Sequence, residues 1–209
     1  MKKAYRAWLL REDRLNQILR RYVEDTTDAI YREPDNIEVL LDVLISTVTE
    51  TTESYLTNEY EVAWGETLAD WLALEPYDPD VDISVYRHID GKTFADRIRE
   101  YVSEFATELN VALLLGKLAL LVATDGHRVR NEAAQSAGDE LASVGYSVTK
   151  TWRTMGDKAV REAHTELEGT SLPIDGYFEV AGAKAMAPGM FGRPELDCNC
   201  RCVLEINAL

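Results

Sequence analysis

The apolar residues of this chain change their spacing once, at Gly145, and that change limits the fold more than any other feature. Before it they recur at three- and four-residue intervals, the period of an α-helix. After it, in Tyr146–Arg153, the larger or more apolar side chains occupy alternate positions, the period of a strand. The expected fold is therefore α+β and predominantly α-helical. A helical N-terminal two-thirds precedes a small C-terminal unit of one helix and a short antiparallel sheet.

Four segments follow from this pattern. Residues 1–75 form an N-terminal helical region. Trp8, Leu15, Ile18 and Tyr22 share a stripe of its first helix. Asn36 is placed to cap a second helix carrying Leu40, Leu41, Leu44, Ile45 and Val48 and running to about Asn58. A third holds Trp64, Leu68, Trp71 and Leu72. Residues 76–83 are an acidic, proline-containing linker, since Pro76 and Pro79 are poorly tolerated within a helix. Residues 84–145 hold central helices. One starts near Thr93 and runs into the apolar stretch Val111–Ala123, Asp125-Gly126 is a break, and another spans about Arg128–Val144. Residues 146–209 are the C-terminal unit: the strand, a helix from Asp157 to Leu167 ended by Gly169, a short strand at Tyr177–Val180, an irregular loop at Ala181–Leu196 and an extended Cys198–Ile206.

Charge narrows the partners. The net charge is −15, unevenly spread. Residues 1–21 carry +5, including Lys2, Lys3, Arg6, Arg11 and Arg14, whereas residues 22–83 carry −16. A surface this negative repels phosphate, so contact with DNA or an acidic protein face is expected through the basic N-terminal segment only. An acidic chain with 15 Arg and only seven Lys also suits a halophilic host, where salt screens self-repulsion; an acidic mesophilic protein kept soluble by charge is the alternative. Val111–Ala123, interrupted by Lys117, is shorter than the roughly 18–20 apolar residues that cross a bilayer, so no membrane role is expected. Nor is a secretory signal read after Met1.

Two clusters carry chemistry. Asp157, Arg161, His164 and Glu168 follow at spacings of four, three and four, which puts them on one face of the expected helix. Cys198, Cys200 and Cys202 alternate with Asn199 and Arg201, so an extended segment would face all three thiols one way and Arg201 the other. A disulfide between cysteines two apart is strained and disfavoured in a reducing cytoplasm. Zinc is open to Cys198, Cys200 and Cys202 with His164 as a further ligand, although structural sites usually use paired Cys-x₂₋₄-Cys clusters. Thiols packed in a strand, with no cofactor, are the simpler reading. His164 and Cys200, with Asp157 as orienter, can be drawn as a nucleophile and base. No glycine-rich phosphate loop, Gly-x-Ser-x-Gly or His-Glu-x-x-His accompanies them, so no enzyme is expected.

One ordered series goes further. Trp152, then Asp157, Arg161 and His164, Gly169, Phe178, Pro188-Gly189 and the closing Asn199-Cys200-Arg201-Cys202 resemble the C-terminal domain of the phage Mu F-like minor head (head morphogenesis) proteins of tailed viruses. The likeness covers roughly Lys150–Leu204. Arg130-Asn131-Glu132 stands where family members often carry Arg-Thr-Glu, and Cys198 is an addition to the pattern. The resemblance implies a structural minor head protein: a few copies in the head interior, made in the host cytoplasm, near the portal protein or inner capsid surface, acting in assembly or DNA delivery. It implies a structural network of Trp152, Asp157, Arg161, His164, Asn199, Cys200, Arg201 and Cys202, with Asp157 and Arg161 paired and Arg201 bridging to a carboxylate. The alternative is a metal-dependent or cysteine-based enzyme using His164 and the three cysteines.

Overall fold

The computed structural model describes residues 2–69, 81–83 and 91–209, with side chains from residue 6. Trp71, Leu72 and most of the expected linker lie outside the described residues, as do the side chains of Lys2 and Lys3. The fold is α+β and mainly helical, as the change of period requires. The helices are α1 (Lys2–Arg32), α2 (Ile37–Leu68), α3 (Phe94–Glu108), α4 (Val111–Ser143), α5 (Glu162–Thr165) and α6 (Pro194–Asp197). The strands are β1 (Val148–Arg153), β2 (Ser171–Pro173), β3 (Phe178–Val180), β4 (Ala183–Ala185) and β5 (Val203–Ala208). The chain divides into two units: residues 1–57 with 81–123, and residues 58–80 with 124–209. Two of these limits fall inside α2 and α4, and the third, between residues 80 and 81, falls within the expected 76–83 linker.

In the first unit α1 buries Trp8, Leu15, Leu19, Val23, Thr27 and Ile30. This is one residue away from the expected stripe: Ile18 is exposed and Tyr22 half-buried. Neighbouring Leu15, Ile18 and Leu19 offer two adjacent apolar faces, and packing selects one. Pro34 ends the helix, because Glu33 before it leaves the helical region at φ −133°, ψ 65°. The second and third expected helices are one, α2, because Leu44, Val48, Thr52, Leu56, Tyr60, Ala63 and Trp64 continue a single buried stripe through Asn58.

Thr93 starts α3 with a capping box: its hydroxyl accepts from the Asp96 amide and the Asp96 carboxylate accepts from the Thr93 amide, each at 3.1 Å. The helix stops at Leu109, which is left-handed at φ 49°. The apolar stretch therefore opens a separate helix, α4, and the expected break at Asp125-Gly126 is absent. Both residues are buried there, and packing overrides local propensity. No described helix is long and apolar enough to cross a membrane.

In the second unit β1 is the centre of a three-stranded antiparallel sheet in the order β2-β1-β5. Lys150 pairs with Leu172 and Ile206, and Trp152 with Leu204. The short strand expected at Tyr177–Val180 is β3, and the segment expected to be an irregular loop supplies its partner β4, the hairpin being turned by Ala181 and Gly182 at φ 50° and 72°, the double positive φ of a tight two-residue turn. The later part of α4 packs closely here. A Cβ on Gly138 would meet Ile174 Cδ1 at 2.6 Å and Ile206 Cδ1 at 3.2 Å, so only glycine fits without displacing these side chains.

Candidate functional site

The expected Asp157–Leu167 helix shrinks to the single turn of α5. Asp157 Oδ1 accepts from the Ala159 amide at 2.9 Å, a side-chain turn that competes with helix formation. Arg161 is extended at φ −64°, ψ 146° and only precedes α5. Asp157, Arg161, His164 and Glu168 therefore leave the common helical face and go to separate tasks. Glu168 Oε2 accepts from both the amide and the hydroxyl of Thr154 at 2.5 Å. Burial alone would raise its carboxyl; these bonds and nearby Arg153 hold it low.

The closing motif is not one strand either. Asn199 is left-handed at φ 54°, a conformation asparagine tolerates, and the Cys200 amide turns back to the Asp197 carbonyl at 3.1 Å. The three thiols consequently do not share a side. Cys198 is half-buried and apart, whereas Cys200 and Cys202 are buried and meet His164. Arg201 faces the opposite way and grips Asp157 with two bonds, at 2.8 and 2.6 Å. This pair holds the Asp157 carboxyl below its usual range. The implied Asp157–Arg161 pair is replaced: Arg161 donates to the Cys198 carbonyl.

His164 is 1% exposed, and its Nδ1 lies 3.7 Å from Cys200 Sγ and 3.5 Å from Cys202 Sγ. Its Nε2 has no hydrogen-bond partner among the described residues, so Asp157 does not orient it as a catalytic base. Hydrogen bonding from Cys202 pulls the Cys200 thiol well below its ordinary value, and the same contact, with burial, pushes Cys202 up. Around them Trp152, fully buried, makes edge contacts with His164 at 5.5 Å and Phe178 at 5.1 Å, and Phe191 stacks on His164 at 6.1 Å.

Several residues that hold this site were given no role in the sequence reading, although Asn131 stands in the Arg130-Asn131-Glu132 segment noted there. Asn131 on α4 donates to the carbonyls of Pro188 (3.2 Å) and Cys202 (3.0 Å) and accepts from the Leu204 amide at 2.9 Å. It thus satisfies three backbone groups, which explains how Asn serves at a position where the resembling pattern has Thr. His127, one turn earlier, also donates to the Cys202 carbonyl, and burial lowers its pKa. Asp197 accepts from the amides of Phe191 and Arg193, each at 3.1 Å; burial nevertheless raises its carboxyl. Lys150, with no exposed surface, donates to Gln135 Oε1 at 2.8 Å and lies 5.7 Å over the Phe178 ring. A polar residue on an otherwise apolar helix face was the available clue to Asn131 and Gln135. Nothing local pointed to Asp197.

The second unit thus gathers the motif residues into one core. Arg6 and Arg14 of the basic segment are exposed on α1 in the first unit, and Arg11 is half-buried.

No solved structure matches the chain significantly. A curated relative, NAD(+)--arginine ADP-ribosyltransferase EFV of Enterococcus faecalis (strain ATCC 700802 / V583), is 30% identical over 113 residues, 54% of this chain. The matched stretch is 22% of that protein's length. The family profile described as Phage Mu protein F like protein matches residues 87–205, more than half of the chain and inclusive of every motif residue above. The chain belongs to the Phage Mu protein F like family of head morphogenesis proteins.

Proposed function

We propose that this protein is a minor structural component of a tailed-virus head, acting in assembly or DNA delivery at the portal protein or the inner capsid surface. The observation that carries the reading is where the motif residues go. Trp152 and His164 are core, Arg161 binds the Cys198 carbonyl, Arg201 binds Asp157, and Asn199 turns the backbone. Each holds the chain to itself, which is what a rigid module on a particle requires, and the reading is of a protein that is no enzyme. The ADP-ribosyl transfer in the relative's name belongs to that protein, whose shared part is 22% of its length.

Attachment falls to α1. Arg6, Leu10 and Arg14 follow at four-residue spacing and are exposed, Leu10 by 66%. A basic face with an apolar centre suits an acidic protein groove, with DNA as a weaker partner. Quantitative mass spectrometry of purified heads is the test. Peptides of this chain at low copy are expected, and Arg6→Glu/Leu10→Ser/Arg14→Glu, which changes exposed positions and spares the buried Trp8, Leu15 and Leu19, should remove them while the chain still folds. Heads lacking the unaltered protein would end the structural reading; normal incorporation of the folded triple variant would end the role of α1.

A further inference from the structure

We propose that His164 Nδ1, Cys200 Sγ and Cys202 Sγ bind one zinc ion, with a water molecule as the fourth ligand. The three atoms lie within 4.8 Å of one another, and the three residues are 1%, 3% and 2% exposed. Zinc–sulfur and zinc–nitrogen bonds of about 2.3 and 2.0–2.1 Å at a tetrahedral angle give a sulfur–nitrogen edge of about 3.6 Å. The observed edges, 3.7 and 3.5 Å, straddle that value.

Thiol hydrogen bonds can also span such distances, with the two cysteines bonded to each other and one of them to Nδ1. Nδ1 has one lone pair and accepts one S–H, whereas two sulfurs approach it. A metal ion between the three engages all of them. Binding converts the two thiols to thiolates and releases their protons to solvent. Two thiolates and a dication sum to zero charge, so the occupied site adds no net charge to a buried core. The mixed sulfur and imidazole set suits zinc and not magnesium or calcium.

The two cysteines are also held through their backbone, whereas His164 Nε2 has no partner among the described residues. The Cys202 carbonyl takes bonds from His127 and Asn131, and the Cys200 amide is bound by the Asp197 carbonyl. The ion would join α5, the turn after α6 and the start of β5, a crosslink across the small unit. The sequence offered His164 with all three cysteines as zinc ligands; the fold brings His164, 36 residues before Cys200, to two of them and leaves Cys198 outside. The inference stands independently of the head-assembly reading.

Elemental analysis of the purified full chain, kept reduced, tests it. About one zinc per chain is expected. Cys200→Ser and Cys202→Ser should each lower this below about a tenth, while Cys198→Ser, outside the cluster, should retain it. Cobalt(II) exchanged into the wild type should give a thiolate-to-cobalt charge-transfer band, a readout that does not depend on the variants folding. Wild-type protein that carries no zinc and gives no such band on reconstitution overturns the proposal. So does zinc retained in a folded Cys200→Ser/Cys202→Ser double variant.

Discussion

The two units bury different things. In the first, the described buried polar residues are two threonines, Thr27 and Thr52, and the rest of the core is aliphatic and aromatic. In the second, Glu59, Asp125, His127, Asn131, Gln135, Lys150, His164 and Asp197 are all buried. The first unit asks little of residue identity: an apolar side chain of about the right size at each core position is enough. The second depends on which residue stands where, because its short strands and single-turn helices leave backbone groups that side chains must satisfy. The family motif lies in the second unit for this reason.

The strongest attempt to break this contrast is Asn131→Leu. It removes the partners of the Leu204 amide and the Pro188 carbonyl and one of two donors to the Cys202 carbonyl. At roughly 1–3 kcal/mol for each buried group left unpaired, a loss of about 3–5 kcal/mol is expected in urea unfolding. Thr52→Val in the first unit should change stability by less than about 1 kcal/mol. Equal losses would erase the distinction.

Lys150 gives a pH signature. Burial lowers its pKa from 10.5 to about 8, while Asp139 and Asp175 oppose the shift. Because the folded pKa lies below the unfolded one, the unfolded chain binds more protons between these values. Stability from this group therefore rises as pH goes from about 8 toward 10.5, by of order 2–3 kcal/mol. Lys150→Met should lack that rise when the two stability curves are compared.

Arg161→Ala should cost about 1–3 kcal/mol, read as a lower Tm, since it strips the Cys198 carbonyl. Leu44→Met in the first unit keeps volume and hydrophobicity and should cost under about 1.5 kcal/mol. Arg201→Ala should have the smallest effect. Its pair with Asp157 is 34% and 48% exposed, so the loss should shrink further with added salt. Asp157 sits below its ordinary pKa, so whatever the pair contributes is present above about pH 4 and disappears as acid protonates it.

The same contrast governs what the sequence discloses. α3 and its Thr93 cap, β1, and the end of α4 before Gly145 are local matters and can be read from spacing and end signals. The α1 stripe and the continuity of α2 and α4 depend on what packs against them, so period alone misplaced them by a residue or inserted breaks. At Asp157 a side-chain turn defeated a helix that spacing favoured. β2 and the role of Asn131 need partners far along the chain, up to 73 residues away for Asn131 and Leu204, whereas β4 and Asp197 have near partners that no end signal or period marks. The motif residues were visible, but their pairings were not: Arg201, and not Arg161, takes Asp157.

The central claim is that the motif builds a module for the head and performs no reaction there. The most direct measurement is the infectivity and protein content of heads assembled with Asn131→Leu, Arg161→Ala and Arg201→Ala, set against the folded fraction of each variant. The account predicts that incorporation and infectivity fall together and in the order of lost stability, with Arg201→Ala close to wild type. A variant that folds fully, enters heads at the wild-type level and still leaves them non-infectious would contradict it.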